Sequence, residues 1–169
     1  CDKLPFLDEL CRFKTAEQIK CPCDFSQNRE DTAIEYELHP TARNTPITDC
    51  IMKNVQPEQL EGWKCDKCSE VGKATKQALI GSFPKVMIFR VTSQNSSLQY
   101  SSMLVVNSKK YYLLAVISHT GGHWFTYARE MPPGKPWFTL DDNRVREHAA
   151  NEFPMSQMTK VLIYYRLEE

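Results

Sequence analysis

Two cysteine pairs and one histidine with nearby acids carry the chemistry open to this chain. Cys21-Pro22-Cys23 and Cys65-Asp66-Lys67-Cys68 are tight pairs set far apart in sequence. Zinc takes four soft or borderline ligands in a tetrahedron, and a thiolate pair on each of two short turns supplies them. The Cys-x-Cys spacing is one residue tighter than the usual knuckle. Four free thiols, or a redox Cys-x-x-Cys, are the alternatives. Two pairs together favour a structural zinc, because four protein ligands leave no open position for water. Cys1, Cys11 and Cys50 read as ordinary, Cys50 as a small hydrophobe on a helix stripe.

The second constellation is His123, which follows Gly121-Gly122 and opens His123-Trp124-Phe125-Thr126-Tyr127. Two glycines let the backbone approach a ligand closely. A histidine at the mouth of a strand is placed to act as a general base. Trp137-Phe138-Thr139-Leu140-Asp141-Asp142 puts two acids at the end of the next strand. An acid beside an imidazole fixes its tautomer and steadies the imidazolium, so His123 with Asp141 makes two-thirds of a triad. The bland alternatives are a packed histidine and solvated turn acids.

The elements that must position these groups are mostly strands. Leu4–Phe13 reads as a connector or short helix, and Ala16–Lys20 as a short strand leading into the first cysteine pair. Asp24–Asp31 is polar and reads as a turn. Ile34, Tyr36 and Leu38 alternate with Glu35 and Glu37, the period of a half-buried strand. Thr45-Pro46 predicts a helix start, a capping hydroxyl before proline, with Ile47, Cys50 and Ile51 on its apolar stripe. That helix ends before Pro57, and a short second piece runs from Pro57 to Leu60. Lys73–Ile80 and Val86–Val91 read as strands, and Thr92–Ser102 as a mobile loop. Tyr111–Ser118, His123–Arg129, Trp137–Asp141 and Val161–Arg166 are rich in β-branched and aromatic residues and read as strands. Thr120-Gly121-Gly122 and the segment 132–136 are turn signals between them.

Length and charge narrow the class. At roughly 100–200 residues per domain, 169 residues make one domain or two small lobes. Lys plus Arg and Asp plus Glu each number 21, which argues against a generic nucleic-acid or anionic-membrane binder, including a zinc-ribbon nucleic-acid module. No apolar run approaches the ~20 residues of a membrane span. The chain opens Cys-Asp-Lys-Leu-Pro, without the apolar stretch of a signal peptide. Paired cysteines far apart suit a metal in a reducing, intracellular compartment, cytoplasm or nucleus, better than a disulfide framework. Asn95-Ser96-Ser97 matches a glycosylation triplet that is short enough to arise by chance.

The run Tyr112-Leu113-Leu114-Ala115-Val116-Ile117-Ser118-His119-Thr120-Gly121-Gly122-His123-Trp124, then Tyr127-Ala128-Arg129, then Trp137 to Val145, resembles the histidine box of the ubiquitin-specific proteases. Val161-Leu162-Ile163-Tyr164-Tyr165 resembles that family's last palm strand. Ile47 to Ile51, Leu60-Glu61-Gly62, Cys65-x-x-Cys68, Ala74-Thr75-Lys76 and Phe83 to Arg90 follow its order. The resemblance covers nearly the whole chain from about Glu9. It implies an α+β fold of the papain-like cysteine protease superfamily: a mainly antiparallel β palm sheet with an inserted zinc-binding β fingers lobe. Fingers are expected over about 14–80 and palm over about 81–169, as one partial catalytic domain.

Carried over by resemblance, His123 would be the base that activates a cysteine, Asp141 would orient it, and Asp142 would lie by the scissile bond. Gly122 and Trp124 (tyrosine in most of the family) would flank the channel for the ubiquitin tail. Cys21, Cys23, Cys65 and Cys68 would hold one structural Zn2+. The loops Thr120–Gly122 and Thr92–Ser108 would gate the tail channel. The partner implied is ubiquitin or a ubiquitinated protein, with no nucleic acid and no membrane. The family's cysteine box, with its nucleophile, does not occur in these 169 residues, so the thumb that carries it is expected on a missing segment or a partner chain. A non-catalytic ubiquitin-binding or scaffold module is the alternative. His119 reads as a structural turn histidine bonded to backbone, His39 and His148 as solvated, Trp63 as fingers core, and Glu30, Glu35 and Glu37 as a solvated strand face.

Overall fold

The computed structural model describes residues 5–92, 97–131, 134–149, 152–153 and 158–167. Cys1, most of the glycosylation triplet, the centre of the Thr92–Ser102 segment and the Pro132-Pro133 turn lie outside them. In chain order the elements are α1 (Pro5–Cys11), β1 (Phe13–Cys21), β2 (Phe25–Ala33), β3 (Tyr36–Leu38), β4 (Thr45–Pro46), α2 (Ile47–Val55), β5 (Glu58–Gln59), β6 (Thr75–Ile80), β7 (Val86–Val91), β8 (Leu98–Gln99), β9 (Met103–Val106), β10 (Lys109–Thr120), β11 (His123–Arg129), β12 (Trp137–Asp141), β13 (Arg144–Glu147) and β14 (Thr159–Tyr165).

The larger sheet runs β13-β12-β11-β10-β14-β7-β3, with β9 also paired to β10. Its pairings are antiparallel except β3 against β7. The smaller sheet runs β2-β1-β6-β5, and β4 and β8 form a short parallel pair. Among the described residues the fold is therefore mainly β with two helices, as the sequence reading holds.

The core lies on one face of the larger sheet. Leu38, Met87, Phe89, Tyr111, Leu113, Val116, Leu162 and Tyr164 are buried there, against Ile47, Cys50 and Ile51 of α2. β10 can be the central strand because register shifts near Leu114 and before Ser118 keep its apolar residues inward over twelve positions. The smaller sheet ends in its own cluster of Cys21, Cys65 and Ala74, flanked by Ile19, Phe25, Leu60 and Trp63. Trp63 packs on Phe25, ring centroids 5.7 Å apart, as expected of fingers core.

Several elements differ from the sequence expectations. The polar run Asp24–Asp31 is not a turn but most of β2, paired residue for residue with β1 from Phe13↔Ala33 to Cys21↔Phe25. β2 is an edge strand almost wholly exposed, so it needs no apolar alternation and its backbone ladder suffices. Ile34 is exposed and outside β3, which begins at Tyr36. Glu35 and Glu37 are not simply solvated, because Arg90 of β7 bonds both. Pro46 sits at the helix cap with φ −59° and ψ 138° and makes no side-chain cap. Thr45 cannot cap because its hydroxyl is bonded to Ala42. The piece after Pro57 is strand β5, paired to β6 and tied by Lys76 to Glu58 at 2.9 Å. In the Thr92–Ser102 segment, Leu98 and Tyr100 are buried, so its described end is anchored.

Candidate active site and metal centre

The β10–β11 hairpin delivers His123. Its turn needs left-handed backbone, φ 57° at Gly121 and 88° at Gly122, which glycine adopts without strain. Thr120 then pairs with His123, starting the register of the hairpin. β12 runs antiparallel to β11, with Thr126 opposite Leu140, and so brings Asp141 to the same end. His123 Nε2 lies 2.6 Å from Asp141 Oδ1. An ionised carboxylate only accepts, so Nε2 is the donor and carries the proton. Nδ1 is then the acceptor nitrogen of the neutral ring, and no described residue bonds it. Both side chains are a little under half exposed. Asp142 completes the corner: one ligand atom from each of the three residues lies within 4.8 Å of the others.

This corner opens onto a cleft of about 490 Å³ on the core face of the sheet, lined by Thr120, Phe125, Tyr127, Thr139, Arg144 and Arg146 beside His123 and Asp141. An aromatic ladder forms its floor. Ring centroids step from His123 to Phe125 (6.5 Å), to Tyr127 (5.6 Å), to His148 (5.7 Å). His148 is thus not the solvated histidine expected from its polar surroundings. Its Nε2 meets the Thr139 hydroxyl and its Nδ1 meets Glu152 at 2.8 Å. One signal could have found it: Arg144, Arg146 and His148 alternate, which is β13 presenting one face to the cleft.

Trp124 points to the opposite face of β11 and does not line this cleft. It is half exposed and stacks on His119, centroids 4.3 Å apart. The His119 ring is therefore held by an aromatic neighbour, not by the backbone bond expected of a turn histidine. His39 meets the Thr92 hydroxyl through Nδ1, so it too is partnered. None of the described cysteines lines the cleft; Cys11 and Cys50 are buried, and burial pushes both thiols up.

The four paired cysteines converge at the tip of the smaller sheet. Cys21 ends β1, and the chain turns through Asp24 at φ 62° into β2. Residues 64–71 form the other turn, closed by the Lys64–Val71 bridge, with Ser69 at φ 63°. In each turn the residue after the second cysteine takes the left-handed conformation. Cys21 Sγ lies 3.8 Å from Cys68 Sγ, and Cys23 Sγ 3.6 Å from Cys65 Sγ. A zinc–thiolate tetrahedron with bonds of about 2.3 Å has edges of about 3.8 Å, so the spacing fits.

Backbone N–H groups aim at the sulfurs: Cys68 and Lys67 donate to Cys65, Cys23 to Cys21, and Glu70 to Cys68. Burial pushes the Cys65 thiol up, but those donors and the neighbouring sulfurs bring it down to about 7. The Glu70 N–H pulls Cys68 down, yet burial and three nearby sulfurs push it up to about 12. The four sulfurs lie close enough to share one cation, and the set is one that could hold zinc.

The fold is that of the ubiquitin-specific protease domain. A chain of the SAGA DUB module Ubp8/Sgf11/Sus1/Sgf73 bound to monoubiquitin matches with TM-score 0.81 at 18% identity, over 96% of this chain and 42% of that one. A chain of the yeast SAGA DUB module with an Sgf73 mutant matches with TM-score 0.85 at 18% identity, over 96% and 42%. The family model for ubiquitin carboxyl-terminal hydrolase matches residues 5–164. The chain belongs to the ubiquitin carboxyl-terminal hydrolase family. Ubiquitin carboxyl-terminal hydrolase 15 of Homo sapiens is 26% identical over 171 aligned positions, covering 81% of this chain and 17% of that protein. Ubiquitin carboxyl-terminal hydrolase 12 of Saccharomyces cerevisiae is 28% identical over 152, covering 73% and 12%. The chain thus spans under a fifth of the length of either. No helix among the described residues is long and apolar enough to cross a membrane.

Proposed function

We propose that this chain is the fingers (about 14–80) and palm (about 81–169) of a deubiquitinating thiol hydrolase, which cleaves isopeptide or peptide bonds after the C-terminal glycine of ubiquitin. The observation that carries it is the His123–Asp141 pair, bonded at 2.6 Å through Nε2 and lining a cleft, with Nδ1 bonded by no described residue. In this reading Nδ1 takes the proton of a cysteine thiol supplied by a segment outside these residues. Asp141 holds the ring and steadies the imidazolium, and His123 then returns the proton to the leaving amine. Asp142 stands by the scissile bond and Gly122 flanks the approach of the ubiquitin tail; Trp124, expected beside it, lies on the opposite face of β11 from the cleft. The two structural neighbours were solved as SAGA DUB modules, one of them bound to monoubiquitin, which supports ubiquitin as the partner here.

The four cysteines hold one structural zinc per chain. Cys21 and Cys23 from one turn and Cys65 and Cys68 from the other would hold it, and the ion would supply a cross-link between the turns. Four cysteines grouped for a metal and not paired in disulfides support a reducing compartment, cytoplasm or nucleus.

A second reading, a ubiquitin-binding module without its own nucleophile, is favoured by one observation: no described cysteine lines the cleft. A ubiquitin probe with a thiol-reactive warhead separates the two. In the full reading frame the first reading expects labelling at one cysteine that depends on His123. Binding of ubiquitin with no labelling supports the second.

A further inference from the structure

We propose that His123, Asp141 and Asp142 form a second, weaker metal site, one that takes a divalent transition ion such as Zn2+ or Co2+ through one nitrogen and two carboxylates. One ligand atom from each residue lies within 4.8 Å of the other two. A transition ion with bonds of about 2.0–2.2 Å sets adjacent ligands about 2.8–3.1 Å apart when six-coordinate and about 3.3–3.6 Å apart when tetrahedral. His123 Nε2 and Asp141 Oδ1 stand at 2.6 Å, so the pair must open by about 0.2–0.5 Å for the first geometry and about 0.7–1.0 Å for the second. Asp142 is exposed at the turn into β13.

The corner opens to the cleft, which leaves positions for water ligands and an entry path. Arg144, opposite Asp141 in the β12–β13 register, makes no ion pair with either carboxylate. The imidazole sets the selectivity: carboxylates alone suit Mg2+ and Ca2+, whereas an added imidazole nitrogen suits Zn2+ and Co2+.

The consequence rests on the reading of His123 as the base. On binding, the ion loses water ligands and gains Nε2 and carboxylate bonds, and the imidazole proton moves from Nε2 to Nδ1. That is the nitrogen that would receive the thiol proton, and Asp141 no longer holds the ring through hydrogen. The ion is thus a reversible inhibitor, and micromolar transition metal regulates the same corner that does the chemistry.

The test is a Co2+ titration of the protein already loaded with zinc at its four cysteines. The expected result is one further Co2+, with weak absorption and no thiolate-to-cobalt charge-transfer band, undisturbed by excess Mg2+. Affinity drops by about tenfold or more in His123→Ala and in Asp142→Asn. Both side chains are exposed, and an unchanged circular dichroism spectrum and thermal transition report that each variant is folded. No further Co2+, equal binding in both variants, or a thiolate band overturns the site. Binding is read without hydrolysis, so it stands apart from the catalytic reading: Co2+ bound here that leaves the full-length enzyme's rate unchanged overturns the role of His123, not the site.

Discussion

Removing the metal from the four cysteines should unfold the fingers and spare the palm. The fingers tip buries only Cys21, Cys65 and Ala74 fully, with Ile19, Phe25, Leu60 and Trp63 half covered around them. Two of those three buried residues are the ligands themselves. So small a cluster does not hold two turns together without a cross-link. The sulfur separations of 3.6 and 3.8 Å divided by the tetrahedral edge factor of about 1.63 give metal–sulfur bonds of about 2.2–2.3 Å. Structural zinc contributes on the order of 10 kcal/mol of apparent binding free energy in small metal-dependent domains, comparable to a domain's whole stability of roughly 5–15 kcal/mol. The palm core on β7, β10 and β14 is a separate cluster, and it also holds Phe13 at the base of β1. X-ray absorption should therefore find one zinc with four sulfurs at about 2.3 Å. After chelation, hydrogen exchange should lose protection in residues 63–72 and in the tip halves of β1 and β2, while β10, β14 and the base of β1 at Phe13 keep theirs. Full protection of the fingers in metal-free protein would refute the reasoning, as would simultaneous collapse of the palm.

Three further outcomes follow from burial. Leu113 is completely buried at the centre of β10, so Leu113→Ala should cost about 2–5 kcal/mol in denaturant unfolding, and a smaller loss would mean that the palm core is looser than its geometry. Burial raises the pKa of Tyr164 above its ordinary 10.0. The folded state keeps it neutral where the unfolded chain ionises it, so its contribution is whole below pH 10 and is lost as pH rises beyond. The alkaline limb should fall by up to about 1.4 kcal/mol per pH unit, and Tyr164→Phe should flatten it. Cys11 and Cys50 are buried with raised pKa values, so alkylation followed by mass spectrometry at neutral pH should mark them far more slowly in the folded than in the unfolded chain.

The site was legible in the sequence because chemistry-bearing residues sat at turns. His123 after two glycines and Asp141 at a strand end could meet only if β11 and β12 paired, and the aromatic and β-branched runs announced that pairing. The two cysteine pairs were legible for the same reason, although their distances required the hairpin tips to be placed. What the sequence hid was whatever tertiary pairing alone decides. β2 is nearly all polar and takes its strand from β1. β13 is four exposed residues on an edge, and β9 lies in a stretch without clear alternation. Thr45 looked like a cap, but its hydroxyl is consumed by Ala42. His148 looked solvated because its partners, Thr139 and Glu152, stand on either side of it in sequence and close around it only when β12 and β13 fold back.

The most direct measurement is kcat/KM for a ubiquitin C-terminal substrate in the full-length enzyme, wild type against His123→Ala. The side chain is exposed, so the variant should fold and still bind ubiquitin. A fall on the order of a thousandfold or more at unchanged ubiquitin affinity is the expected result. Undiminished turnover by the folded variant would contradict the assignment of the base, and with it the meaning of the Asp141 contact.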